Sequence, residues 1–156
     1  MRWTFGLAMY ELAKRDKRVI LLMGDVGAGL FLKLKTDMPD QYINIGLCEQ
    51  ATVSLAAGMA MRGLRPVVYT IMPFILERAF EQIKLDVNQM RQPVGLVGYS
   101  DDTAGPTHCE LDAKVLMGLC PNITSWFPQK KEEVTSIMSA INVDAPWFLC
   151  LKPESK

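Results

Sequence analysis

Six short apolar runs alternate with longer amphipathic stretches along this chain, and that alternation restricts its fold more than any other feature. Val19-Ile-Leu-Leu-Met23 contains no polar position, the pattern of a strand buried on both faces. The other runs are Tyr42 to Ile45, Pro66 to Thr70, Pro93 to Gly98, Ile123 to Trp126 and Pro146 to Leu151. Helical stretches lie between them: a first helix capped by Thr4 and ending near Arg15, then Phe31 to Thr36, Glu49 to Arg62, Pro73 to Met90, Glu110 to Leu119 and Lys130 to Ile141. Phe5, Met9 and Leu12 share one face of the first helix. Leu76, Phe80, Ile83, Val87 and Met90 share one face of the fourth, and Val134, Ile137, Met138 and Ile141 one face of the last. Gly63 suits a helix C-terminus and Pro73 a helix first turn. Strands and helices joined in this order predict an α/β fold, a mainly parallel six-stranded sheet with helices on both faces and right-handed crossovers. No linker, repeat or low-complexity tract interrupts residues 1–156, which read as a single domain.

Composition narrows the function classes. A formal net charge of zero argues against a nucleic-acid binder and puts no electrostatic obstacle in the way of association with another chain. Four cysteines without a CxxC spacing, and a single histidine, argue against a zinc site and fit a reduced, cytoplasmic setting. The opening MRWTFGLAMYELAKRDKR lacks the apolar core of a signal peptide, and no apolar run is long enough to suggest a membrane span.

Open α/β sheets bind ligands beyond the carboxyl ends of their strands, and several chemistry-bearing residues fall there. Glu49 opens a helix rich in Ala and Gly, directly after the apolar Ile45-Gly-Leu-Cys48. It reads either as an ordinary first-turn acid, favoured by the helix dipole, or as a partly buried functional carboxylate. Phe74 reads as core or as a platform for a flat ring. Arg78 reads as a phosphate ligand or as the ion-pair partner of Glu77 or Glu81. His108 lies in a Gly-Pro-Thr-His loop at the same rim, beside Asp101 and Asp102, which read as solvated charges. Asp25, in Gly-Asp-Val-Gly-Ala-Gly, would hold a ligand hydroxyl or a turn; this is neither GxGxxG nor a P-loop. Cys48 has no base beside it in sequence, and the ten methionines read as core filler.

Taken in order, the phrases Gly24-Asp-Val26, Pro39-Asp-Gln-Tyr-Ile-Asn-Ile-Gly-Leu-Cys-Glu-Gln50, Ala56-Ala-Gly-Met-Ala60, Pro66-Val-Val-Tyr-Thr70, Arg78-Ala-Phe-Glu-Gln-Ile83, Gly105-Pro-Thr-His108 and Pro121-Asn122 resemble the pyrimidine-binding domain of transketolase-like thiamine diphosphate enzymes. That family includes transketolase, deoxyxylulose phosphate synthase and the beta subunits of 2-oxo acid dehydrogenases. The resemblance implies the thiamine diphosphate-binding fold. It implies that Glu49 is catalytic, hydrogen-bonding a ring nitrogen of the cofactor's aminopyrimidine so that the cofactor can activate itself. His108 matches a histidine that in some members contacts cofactor or a sugar substrate. Phe74, or Ile75 one residue on, takes the stacking position; Ile71 stands near a second aromatic of the pattern, and Arg78 and Asp25 complete the cofactor-binding set. The family's diphosphate half carries Gly-Asp-Gly, which is absent here, so the resemblance implies no metal ligand on this chain and Mg2+ bound by a partner.

The expectation that follows is a split enzyme. This chain would be the pyrimidine-binding subunit, forming a homodimer core in a heterotetramer with a separately encoded diphosphate-binding subunit. It would be inactive alone and would act on a small carbonyl or sugar substrate. Two other readings are a regulatory or scaffold protein that kept the fold, and a phosphoreceiver-like domain. The second needs an aspartate ending the central strand, where Ile45-Gly46 stands.

Overall fold

The computed structural model describes residues 1–100, 104–109 and 112–153. The first strand, β1, spans Val19–Met23 and is buried at every position. Alternate side chains serve opposite layers: Val19, Leu21 and Met23 enter one core, Ile20 and Leu22 the other. β2 (Tyr42–Asn44), β3 (Arg65–Ile71), β4 (Gly95–Tyr99), β5 (Thr124–Trp126) and β6 (Trp147–Leu151) complete a sheet of order β2-β1-β3-β4-β6-β5. Every pairing is parallel, as the unbroken apolar runs predict.

α1 (Arg2–Arg15) and α7 (Lys131–Ala140) cover one face, where Phe5, Met9, Leu12, Val134 and Met138 are buried. Phe5 stacks on Tyr69 with ring centroids 5.6 Å apart, and Phe31 meets Tyr69 edge-on at 5.0 Å. α2 (Leu32–Asp37) adds Leu34 to this layer. α3 (Glu49–Met61) covers the other face through Val53, Ala56 and Ala60, small residues that let the helix sit close to β3.

Three segments differ from the sequence-based expectation. α1 starts at Arg2 with Met1 at its N-cap, so Thr4 lies inside the helix. The stretch predicted as one helix from Pro73 to Met90 is broken. α4 (Met72–Leu76) ends in a turn at Glu77–Ala79, α5 (Phe80–Gln82) resumes, and Ile83–Gln89 is π-helical. The amides of Met90 and Gln92 reach back five residues, to Leu85 and Val87. The wider turn shifts the phase of the apolar face, so Ile83 and Val87 are buried but Met90 is 49% exposed. α6 (Ala113–Gly118) starts later than expected because Asp112 caps it, accepting from the Lys114 and Val115 amides; Glu110 and Leu111 lie outside the described residues.

The tightest glycine position lies between two central strands. A Cβ on Gly95 would fall 2.3 Å from the Trp147 indole, its neighbour across the β4–β6 ladder. No helix among the described residues is long and apolar enough to cross a membrane.

Candidate active site

Strand order fixes where the site lies. The chain leaves β1 for β2 on one side, then crosses back to β3 on the other, so a crevice opens beyond the ends of β1 and β3. Gly46, at φ 85°, turns the chain after β2, and α3 begins at Glu49. That turn places the Glu49 side chain inward, only 5% exposed. Its Oε1 is buried without a hydrogen-bond partner, while Oε2 lies 3.8 Å from Arg78 Nη1. An unpaired buried acceptor costs about 1–3 kcal/mol, more when charged, and is rare enough to need a reason.

The break after α4 supplies the opposing wall. Phe74 is 7% exposed, whereas Ile75 is wholly buried in the sheet core. Of the two residues considered for the stacking position, Phe74 is therefore the one at the crevice. The Arg78 guanidinium lies over its ring, Cζ 3.6 Å from the centroid, and the His108 ring sits 5.0 Å away at a 59° tilt. His108 Nδ1 is 3.0 Å from the Thr107 hydroxyl. Glu49, Arg78, Phe74 and His108 thus form one unbroken chain of contacts drawn from three strand ends. Arg78 meets Glu49 across the fold, which spacing along one helix could not reveal.

Asp25 and Ile71 stand apart from that chain of contacts. Asp25, exposed and at φ 53°, accepts from Asn44 Nδ2 at 2.9 Å, and its amide donates to Asn44 Oδ1 at 3.2 Å. The pair ties the end of β1 to the end of β2, the turn reading of Asp25. Ile71 is half-buried opposite Tyr99 in the β3–β4 ladder. Cys48 is half-buried, its Sγ 3.5 Å from the Ile45 carbonyl. Asp101 and Asp102 lie outside the described residues. Sequence reasoning missed Thr70. Its hydroxyl is buried without a partner at the end of β3, close enough that a Cβ on Gly24 would fall 3.0 Å from it. A lone threonine ending an apolar strand was the available signal. Among the described residues, no group of three or more His, Cys, Asp or Glu side chains is placed to hold a metal ion.

Fold and rim together define a parallel α/β domain with an acid–aromatic crevice at its topological switch point. The family model "Transketolase, pyrimidine binding domain" matches residues 1–154, and the chain belongs to that family. It is 39% identical over 140 residues to 1-deoxy-D-xylulose-5-phosphate synthase of Synechococcus sp. (strain JA-2-3B'a(2-13)), covering 84% of this chain and 21% of that protein. It is 43% identical over 96 residues to an uncharacterized 33.6 kDa protein in the fasciation locus of Rhodococcoides fascians, covering 61% of this chain and 30% of that one. Among solved structures it superimposes on a split-gene transketolase described as an inactive beta4 tetramer (TM-score 0.85, 22% identity, 97% of this chain and 51% of that). It also superimposes on transketolase of Campylobacter jejuni subsp. jejuni NCTC 11168 (TM-score 0.82, 22% identity, 97% and 25%). The chain spans about a fifth of the length of the synthases it matches, and the family implies use of thiamine diphosphate.

Proposed function

We propose that this chain is the pyrimidine-binding subunit of a split transketolase-like enzyme, cytoplasmic and inactive alone. It would work with a separately encoded diphosphate-binding subunit that also holds Mg2+. The observation that carries the reading is the buried, unpartnered Oε1 of Glu49, on a side chain that Arg78 joins to the Phe74 ring. A carboxylate oxygen short of a donor fits a ring N–H, and an aromatic face beside it fits the flat heterocycle bearing that N–H. The residues present therefore suit the aminopyrimidine half of thiamine diphosphate. When bound, the cofactor supplies a carbon nucleophile and an electron sink for chemistry next to a carbonyl.

This chain's part is binding and polarisation. Glu49 holds the proton at the ring nitrogen, from a position with little water to compete for it. Phe74 fixes the plane of the ring. His108, in contact with Phe74, is the residue that would meet a sugar-like substrate. Ketol transfer is the favoured reaction because the named relatives are a deoxyxylulose phosphate synthase and transketolases. The split-gene transketolase, described as a beta4 tetramer, supports self-association as the core of a larger assembly.

The test is reconstitution: turnover with thiamine diphosphate and Mg2+, with and without the partner chain. Glu49→Gln is expected to lower turnover by at least about 10²-fold, the scale of one proton-handling group, with the melting temperature little changed. Full activity in that variant ends the proposal.

A further inference from the structure

Two arginines lie over aromatic rings at the finishing ends of the strands, and they are held differently. Arg2 sits 4.3 Å from the Tyr99 ring centroid and its Nε donates to the Tyr69 hydroxyl at 3.1 Å, so a directional bond locks it. Arg78 sits closer to its ring, 3.6 Å above Phe74, yet its side chain makes no hydrogen bond among the described residues. Its approach to Glu49, 3.8 Å, is a charge contact beyond hydrogen-bond range, and the side chain is 48% exposed. The guanidinium is planar, rich in N–H groups, stacked on Phe74 and turned toward Glu49. Those are the same two contacts assigned above to the aminopyrimidine. Two flat groups cannot share one ring face at 3.6 Å.

We propose that Arg78 is a built-in stand-in for the pyrimidine: in the free chain its guanidinium occupies the ring's seat, and it swings away as the ring enters. The inference rests on the proposed function and adds a gate to it. Bound alone, Glu49 would leave a buried carboxylate with no counter-charge; Arg78 shields it until a ligand arrives. The contact is loose enough to yield, because the half-exposed Arg78 is held by one cation–π contact and by a charge contact beyond hydrogen-bond range. The turn at Glu77–Ala79 that interrupts the helix is what swings Arg78 back over Phe74.

The test uses the full 156-residue chain and a neutral probe, 4-amino-5-hydroxymethyl-2-methylpyrimidine, so that simple charge repulsion of a cationic ligand plays no part. Binding is followed by NMR titration, with Arg78 Nε and the Phe74 ring protons as reporters. Arg78→Gln is expected to bind the probe roughly fivefold tighter than the wild type, the worth of one displaced exposed cation–π contact. Arg78→Lys, which keeps the charge but loses the flat fork, should fall between the two. In the wild type the Arg78 Nε resonance should move as the probe saturates. Equal or weaker binding by Arg78→Gln overturns the gate. If that binding is nonetheless lost in Glu49→Gln, the functional reading survives alone. If no form binds the probe, gate and functional reading both fall.

Discussion

Gln41 and Glu49 are equally buried, each 5% exposed, and they are treated in opposite ways. Gln41 lies near the end of the sheet where strands begin. Its amide nitrogen donates to the carbonyls of Ala13, Asp16 and Val19 at 2.8, 3.2 and 2.8 Å, and its oxygen faces Lys17 Nζ at 3.4 Å. Glu49 lies at the end where strands finish, with one oxygen unpaired and the other only near a charge. The same contrast runs through the neighbourhoods. Arg18 bridges Asp16 and Asp144 at the starting end, and Arg65 joins Asp144 at 2.7 Å. At the finishing end the Thr70 hydroxyl is also unpaired. Buried polarity at one end is spent on fixing the fold; at the other it is left available for something that is not this chain's backbone. The lesson is that burial alone does not separate Gln41 from Glu49, whereas partner count does.

The largest effect expected from breaking this comparison is at Gln41. Gln41→Leu removes the donor shared by three carbonyls, two of them in buried bonds, and should cost about 3 kcal/mol in urea unfolding, while Glu49→Leu should change stability by less than about 1 kcal/mol or raise it. Equal losses would erase the distinction. A smaller contrast separates the two stacked arginines. Arg2→Met strands the Tyr69 hydroxyl, which burial already holds above the usual phenol pKa, and should cost about 1–2 kcal/mol; Arg78→Met breaks no hydrogen bond and, made in a Glu49→Gln background where no buried carboxylate is left unshielded, should stay within about 0.5 kcal/mol. Thermal melts of the two variants side by side decide this. The smallest effect concerns acid. Hydrogen bonds from Arg18 to Asp16, and from Arg65 and Arg18 to Asp144, hold both carboxyls below the usual range. A lowered folded pKa adds stability that is present above the unfolded value, about 3.9, and fades as the pH falls through the folded one. The melting-temperature gap between wild type and the double variant Asp16→Asn, Asp144→Asn should therefore be small at neutral pH and close further near pH ~3. A gap that widens in acid contradicts the assignment.

Much of the fold was legible because burial on both faces of a parallel strand leaves an unmistakable apolar run. β1 matches its expected limits, Val19 to Met23, and α3 starts at Glu49 as its small-residue pattern suggested. The interruption between Leu76 and Phe80 was not legible. A 3.6-residue spacing of apolar residues continues through it, and only the side chains' long-range packing decides that the backbone turns there. The site was legible in its members and not in its wiring. Glu49, Phe74 and His108 fall at strand ends that topology brings together, but the approach of Arg78 to Glu49 spans the fold and follows from that turn. Asp25 shares the rim and spends its contacts on Asn44, a pairing set by the register of β1 against β2.

Gly95 and Trp147 carry a consequence for how sequences of this kind can drift. With no room for even one methyl group between strand backbone and indole, neither position can vary by itself in the usual small steps. A side chain at 95 becomes tolerable only in a lineage that has already traded the tryptophan for something narrower. The two sites should therefore change as a linked pair or stay put together, a historical constraint written into the middle of the sheet, remote from any chemistry at its rim.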